Sequence, residues 1–182
     1  MNTRTTTESF SHIVPRNREA IELFGPSFQF LVAPHPNGKA PCVIKGTIPQ
    51  GVSVPIHRHP SVEACFVLSG NVEVLSDEGG EPHWIAAGTG DFIEIPSNAK
   101  HGFRNRSQCP VVLLITINSE LGRLFQEIGR PMIPGARLSP PSPDELYSIV
   151  KTCERYGYWV AAPEENASAG ISLFMSNNKD TN

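Results

Sequence analysis

Along the first two thirds of the chain, apolar positions alternate with polar ones in short stretches, each bounded by Gly, Pro, Asn or Ser. Period-two runs bounded this way predict nine strands, at 28–33, 41–48, 52–59, 62–68, 71–75, 84–86, 91–95, 101–106 and 111–118. Leu68-Ser69-Gly70-Asn71-Val72 is expected to form a tight hairpin turn, because glycine accepts positive φ, and Asp77-Glu78-Gly79-Gly80 the next turn. Nine short strands with no helix between them predict a closed or sandwiched antiparallel β fold.

The period changes after residue 118. Leu121, Leu124, Phe125 and Ile128 fall at i, i+3, i+4 and i+7, one apolar helical face, with Gly129 at C′ and Pro131 as a stop. A Pro-rich connector spans 130–141. Ser142-Pro143-Asp144-Glu145 then predicts a second helix, with an N-cap, a proline at N1 and a capping-box glutamate. Its apolar stripe is Leu146, Ile149, Val150 and Cys153, and Gly157 ends it. The expected organisation is a flexible arm at 1–18, a β-barrel at 19–118, a helical extension at 119–162 and a polar, disordered tail at 163–182. The helices are expected to pack on the outside of the barrel, with a lid over its mouth as the alternative.

Composition narrows the classes. A chain of 182 residues fits one domain with appendages, and its 39% hydrophobic and 18% charged residues are those of a globular protein. A net charge of −3 makes no electrostatic case for binding nucleic acid or an anionic membrane. Cys42, Cys65, Cys109 and Cys153 are scattered and form no CxxC pair, which speaks against a zinc ribbon. The polar stretch Met1 to Phe10 has no apolar core of a signal peptide, so reduced thiols and a cytoplasmic location are expected. On the same ground the glycosylation pattern Asn166-Ala167-Ser168 is taken as chance.

One cluster stands out chemically. His57 and His59 are two positions apart in a predicted strand, so both leave the same face, and Glu63 has the same parity. His101 follows a Pro turn further on. Imidazoles with a carboxylate suit Fe, Mn, Co, Ni, Cu or Zn. Parity also places Cys65 and Val67 on the face of Glu63, and Phe103 on the face of His101, which makes these three candidate pocket residues. Asn105, on the same face as His101, is expected to be a structural hydrogen-bonder. His12, His35 and His83 are expected to be surface or packing residues.

The segments around this cluster resemble the two motifs of the cupin superfamily, G(X)5HXH(X)3-4E(X)6G and G(X)5PXG(X)2H(X)3N. Gly51, His57, His59, Glu63 and Gly70 match the first motif throughout; Gly90, Pro96, His101 and Asn105 match the second. The one departure is Asn98, where the family has glycine; asparagine tolerates φ > 0 better than other non-glycine residues. The resemblance covers about 28–118, and the tail from 119 to 162 looks like an extension of some bacterial cupins described as quercetin-dioxygenase-like.

The resemblance implies a double-stranded β-helix (jelly-roll) barrel holding one divalent transition metal ion, Fe(II) first, with Mn, Ni, Co, Cu or Zn as alternatives. His57, His59, Glu63 and His101 are the implied ligands, and Glu63 is also the implied catalytic base. Four protein ligands leave two octahedral positions open, which suits chemistry rather than a structural role. The first expectation is an oxygenase acting on a small aromatic or enolisable molecule in the barrel. The second is a non-redox metal-dependent isomerase, cyclase, decarboxylase or hydrolase, and the third a non-enzymatic small-molecule-binding cupin. A homodimer is expected from the same resemblance.

Overall fold

The computed structural model describes residues 20–38, 40–77, 81–132 and 141–171. The arm read at 1–18 therefore lies outside the described residues, as do most of the Pro-rich connector and the end of the tail. The strands are β1 (Ala20–Glu22), β2 (Ser27–Val32), β3 (Cys42–Ile48), β4 (Ser53–Arg58), β5 (Glu63–Ser69) and β6 (Asn71–Ser76). They continue with β7 (His83–Gly88), β8 (Phe92–Ile95), β9 (His101–Arg104), β10 (Val111–Ile117), β11 (Arg130–Pro131) and β12 (Trp159–Val160). The helices are α1 (Ser119–Ile128), α2 (Pro143–Arg155) and α3 (Pro163–Ser168).

All nine strands expected from the alternation are present. Two antiparallel sheets face each other, in the orders β11-β1-β2-β3-β10-β5-β8 and β12-β4-β9-β6-β7, as a jelly roll. Inward residues such as Ile44, Val67, Val72, Leu113 and Phe103 fill the space between them. β1, β11 and β12 escaped the alternation because two or three residues carry no period.

The turns behave as their residues dictate. Gly51, Gly70 and Gly90 have φ of 74°, 87° and 96°, and Asn98 takes φ 62° in the Pro96 turn. One irregularity bears on the site. Along the β4–β9 ladder Val54 pairs with Phe103 but His57 pairs with His101, so β4 carries one extra residue. Pro55 lies within this bulge, where a residue without an N–H disturbs the ladder least. The bulge lets Val54 and His57, which an unbroken strand would point to opposite faces, both turn inward; Ile56 is buried in a second cluster with Leu75, Ala161 and Ile171.

Both expected helices form. Asn118 caps α1, its side chain accepting from Leu121 N at 2.8 Å. Ser142 and Glu145 close the capping box of α2. Gly129 ends α1 but corrects the C′ expectation: its φ of −75° and ψ of 143° are extended, not left-handed. A Cβ there would lie 2.6 Å from Ile21 Cδ1 and 2.7 Å from Phe125 O, so close packing against β1 demands the glycine.

The tail expectation also needs correcting, since 163–168 form α3 rather than a disordered segment. The signal missed was tertiary. Asn166 is fully buried; its amide donates to Ala161 O and Ala162 O at 3.0 and 3.1 Å, and its Oδ1 accepts from Ile56 N at 2.8 Å. A polar side chain bound into a sheet edge gives no apolar pattern to read. Among the described residues no helix is long and apolar enough to cross a membrane.

Candidate metal centre

His57 leaves the inner face of β4, His59 follows the end of that strand, Glu63 opens β5 and His101 opens β9, the strand paired with β4. One ligand atom from each lies within 4.8 Å of all the others, and all four residues are buried. The sequence-derived quartet is thus brought together by both sheets.

The backbone sets the orientation of each ring. Nδ1 of His57 lies 2.7 Å from Pro55 O, Nδ1 of His59 2.8 Å from Ser61 O, and Nδ1 of His101 2.9 Å from Ala99 O. A carbonyl oxygen only accepts, so each Nδ1 carries a proton, and a ring in its neutral form presents its lone pair at Nε2. Nε2 of His59 and of His101 face Glu63 Oε2 at 3.2 and 3.8 Å. His101 Nε2 is buried without a hydrogen-bond partner. Lone pairs aimed at a carboxylate repel unless a proton or cation lies between them. Three imidazole nitrogens and a carboxylate oxygen therefore fit a divalent transition metal ion, with carbonyl groups holding the rings from behind.

The electrostatics agree. Burial pushes His57 well below the ordinary histidine range, and the neighbouring His101 pushes it further, so its ring stays neutral. Burial alone would raise Glu63, but the close neighbours His101 and His59 outweigh it and hold the carboxyl well below the carboxylate range. The thiol of Cys65 donates to Glu63 Oε1 at 3.3 Å, and burial with the adjacent carboxylate raises this thiol well above its ordinary value.

A cavity of about 410 Å³ adjoins the cradle and reaches it through His57 and Glu63. Phe103, expected as a pocket residue, does line it. Cys65 and Val67 do not: parity rightly put them on the inner face, but both are fully buried, and Cys65 hydrogen-bonds the far oxygen of Glu63. Parity identifies a face but not which neighbours cover it. The C-terminal helices supply the opposite wall, through Phe125 and Ile128 of α1 and Leu146, Ile149, Val150 and Cys153 of α2. They therefore complete the pocket, which plain packing on the barrel exterior did not anticipate. Phe125 stacks on Phe28 of β2 at 5.3 Å and joins this wall to the barrel.

Sequence reading missed Tyr158, which also lines the cavity. Its ring stacks on those of His57 and His59, with centroids 5.0 and 5.5 Å away. Three residue-level expectations are met: Asn105 ties its own loop together through Ile48 O, Cys109 O and Ser107 N, and His35 and His83 are exposed. His12 lies outside the described residues.

Comparison with known proteins gives partial likenesses. Residues 44–117 match the family model described as Cupin domain. No curated protein matches the chain. Among solved structures it is similar to the DMSP lyase DddQ from Ruegeria pomeroyi, at 31% identity over 43% of this chain and 38% of that one, with a TM-score of 0.37. The chain thus spans well under half of that lyase. An RmlC-like cupin from Shewanella frigidimarina shares 20% identity over 60% of this chain and 92% of its own, with a TM-score of 0.49. A predicted oxalate decarboxylase from Thermotoga maritima shares 17% over 55% and 90%, with a TM-score of 0.48.

Proposed function

We propose that this protein is a metal-dependent oxygenase of the quercetin-dioxygenase-like kind, acting on a small, mostly apolar molecule with an aromatic or enolisable head. The observation that carries the reading is the cavity of about 410 Å³, apolar over nearly all of its wall and opening on the cradle at His57 and Glu63. Among the described residues no lysine or arginine lines it, which disfavours phosphorylated or dianionic substrates.

His57, His59, Glu63 and His101 would hold the ion, Fe(II) first, and a bound redox metal supplies Lewis acidity and electron transfer toward dioxygen. The ionised Glu63 accepts the proton of a phenol or enol as the substrate enters. The apolar wall orients the body of the molecule and keeps water from the reacting head. In a dioxygenation the substrate is oxidised, dioxygen is reduced, and both oxygen atoms end in the product, so no further reductant is needed.

Oxygen uptake by protein loaded anaerobically with Fe(II) or another redox metal and offered flavonols, phenols and diketones tests the reading. Uptake that depends on substrate and is lost in His59→Ala supports it. Turnover that persists with Zn and without oxygen replaces it with the non-redox alternative, and binding without turnover with the ligand-binding one.

The reading includes a cytoplasmic homodimer. Phe66 and Phe92 pair across β5 and β8, with Leu68 on the same outer face, an exposed apolar strip suited to burial against a second copy. Light scattering on the eluted protein reads the mass directly.

A further inference from the structure

Tyr158 reaches the cradle through a chain of local devices. Gly157 turns out of α2 with φ 68°, and Tyr158 N donates to Cys153 O at 2.9 Å. The next residues form β12, which pairs with β4 beside the ligand itself, Trp159 opposite Arg58 and Val160 opposite His57. Ala161 N donates to Ile56 O at 2.8 Å, and the buried Asn166 holds Ile56 N. The segment after α2 is thus an added strand on the ligand-bearing edge, and Tyr158 is the side chain it delivers.

The ring is a plate across two ligands, nearly parallel to His57 at 13° and to His59 at 29°. Its hydroxyl makes no hydrogen bond to the protein among the described residues. Among the described residues, only four side chains lining the cavity carry a polar atom: His57, Glu63, Cys153 and Tyr158. Two of these belong to the cradle, and a thiol is a weak donor. Among the described residues the phenol is therefore the one strong side-chain hydrogen-bond donor that the cavity offers apart from the cradle. A donor left free in an apolar pocket beside a reactive centre selects for ligands that can use it, because a ligand without an acceptor leaves it unpaired.

We propose that Tyr158 is the specificity-determining residue of this site, donating a hydrogen bond to one acceptor of an apolar ligand whose second, adjacent oxygen lies at the His57–Glu63 end. This narrows the substrate class to apolar molecules bearing two neighbouring oxygens, such as catechols, hydroxyketones or diketones. It rests on the reading of the cradle as a metal site.

The test uses cobalt(II), whose visible spectrum reports its ligands, and 4-nitrocatechol as the probe. Wild type and Tyr158→Phe are expected to take up one cobalt per chain with the same spectrum, because phenylalanine keeps the plate. Tyr158→Phe is expected to bind 4-nitrocatechol about tenfold more weakly, the loss of one hydrogen bond of roughly 1.4 kcal/mol. Equal affinity in the two proteins overturns the proposal, as does failure of cobalt-loaded wild type to bind the probe. An altered cobalt spectrum in Tyr158→Phe also overturns it, since the effect would then run through the ligands. Failure of wild type to take up cobalt is a separate result that sinks the metal reading before any variant is compared.

Discussion

The cradle and the cavity wall meet at His57 and Glu63 but are built differently. The cradle is polar and fully buried, and each ring is fixed by a carbonyl two residues away in its own segment, Pro55 for His57, Ser61 for His59 and Ala99 for His101. The wall is apolar and assembled from distant parts of the chain, with α1 and α2 facing the inner strands across open space. Local geometry sets the chemistry, and long-range packing sets what can reach it. The two regions should therefore fail separately when perturbed.

Phe125→Ala is expected to cost about 3 kcal/mol in urea unfolding, since it removes the stack on Phe28 and enlarges a cavity. Metal affinity should stay within a few-fold while the choice of ligand broadens; loss of metal in this variant would break the separation. Asn166→Ala probes the seam between the regions. It leaves Ile56 N and Ala161 O without their partner and is expected to cost about 2 kcal/mol, with Tyr158 loosened from the ligand rings. A change in the cobalt spectrum alongside the lost stability checks this link.

Acid and alkali separate the regions by pH. His57 is depressed in the folded protein, so its contribution is intact above the ordinary value of 6.5 and is lost as pH falls, while the unfolded chain takes up a proton that the folded one refuses. Glu63, also depressed, acts in the same direction at lower pH. Metal-free protein should therefore lose up to about 1.4 kcal/mol per pH unit below 6.5 from His57, and bound metal, which likewise requires the unprotonated ring, should raise stability without removing this slope. Cys153, in the wall, has the opposite sign: burial raises it from 9.0 to about 11, so its contribution is intact below pH 9 and is lost as pH rises through that range. Cys153→Ala should flatten the alkaline limb and leave the acid limb unchanged, as read from melting temperatures across pH.

The smallest expected effect is at the one departure from the cupin motif. Asn98 sits at φ 62°, so Asn98→Ala should cost about 1 kcal/mol and Asn98→Gly close to nothing. Neither should change ligand selection.

The same contrast explains what was legible in the sequence. His57, His59, Glu63 and His101 could be read because strand parity and turn residues act over a few positions, and Asn98 could be read as a tolerated turn residue for the same reason. The bulge at Pro55 escaped notice although it aims His57, because a proline in a strand signals an irregularity without saying how the register shifts. Tyr158 and Asn166 were invisible as site residues: each acts through β4, far away in the chain, and neither belongs to an apolar period. Cys65 and Val67 were read onto the inner face, where they are, but their cover comes from packing that parity does not describe.

The central claim is that four buried side chains form a metal site independent of the wall beside it. Metal content per chain, measured by mass spectrometry after loading with cobalt(II) and exhaustive dialysis, tests it most directly. One ion per chain is expected in wild type and in Phe125→Ala, with affinity reduced more than about 100-fold in His59→Ala and His101→Ala. Stoichiometric metal retained in both histidine variants, or no metal in wild type, would contradict the account.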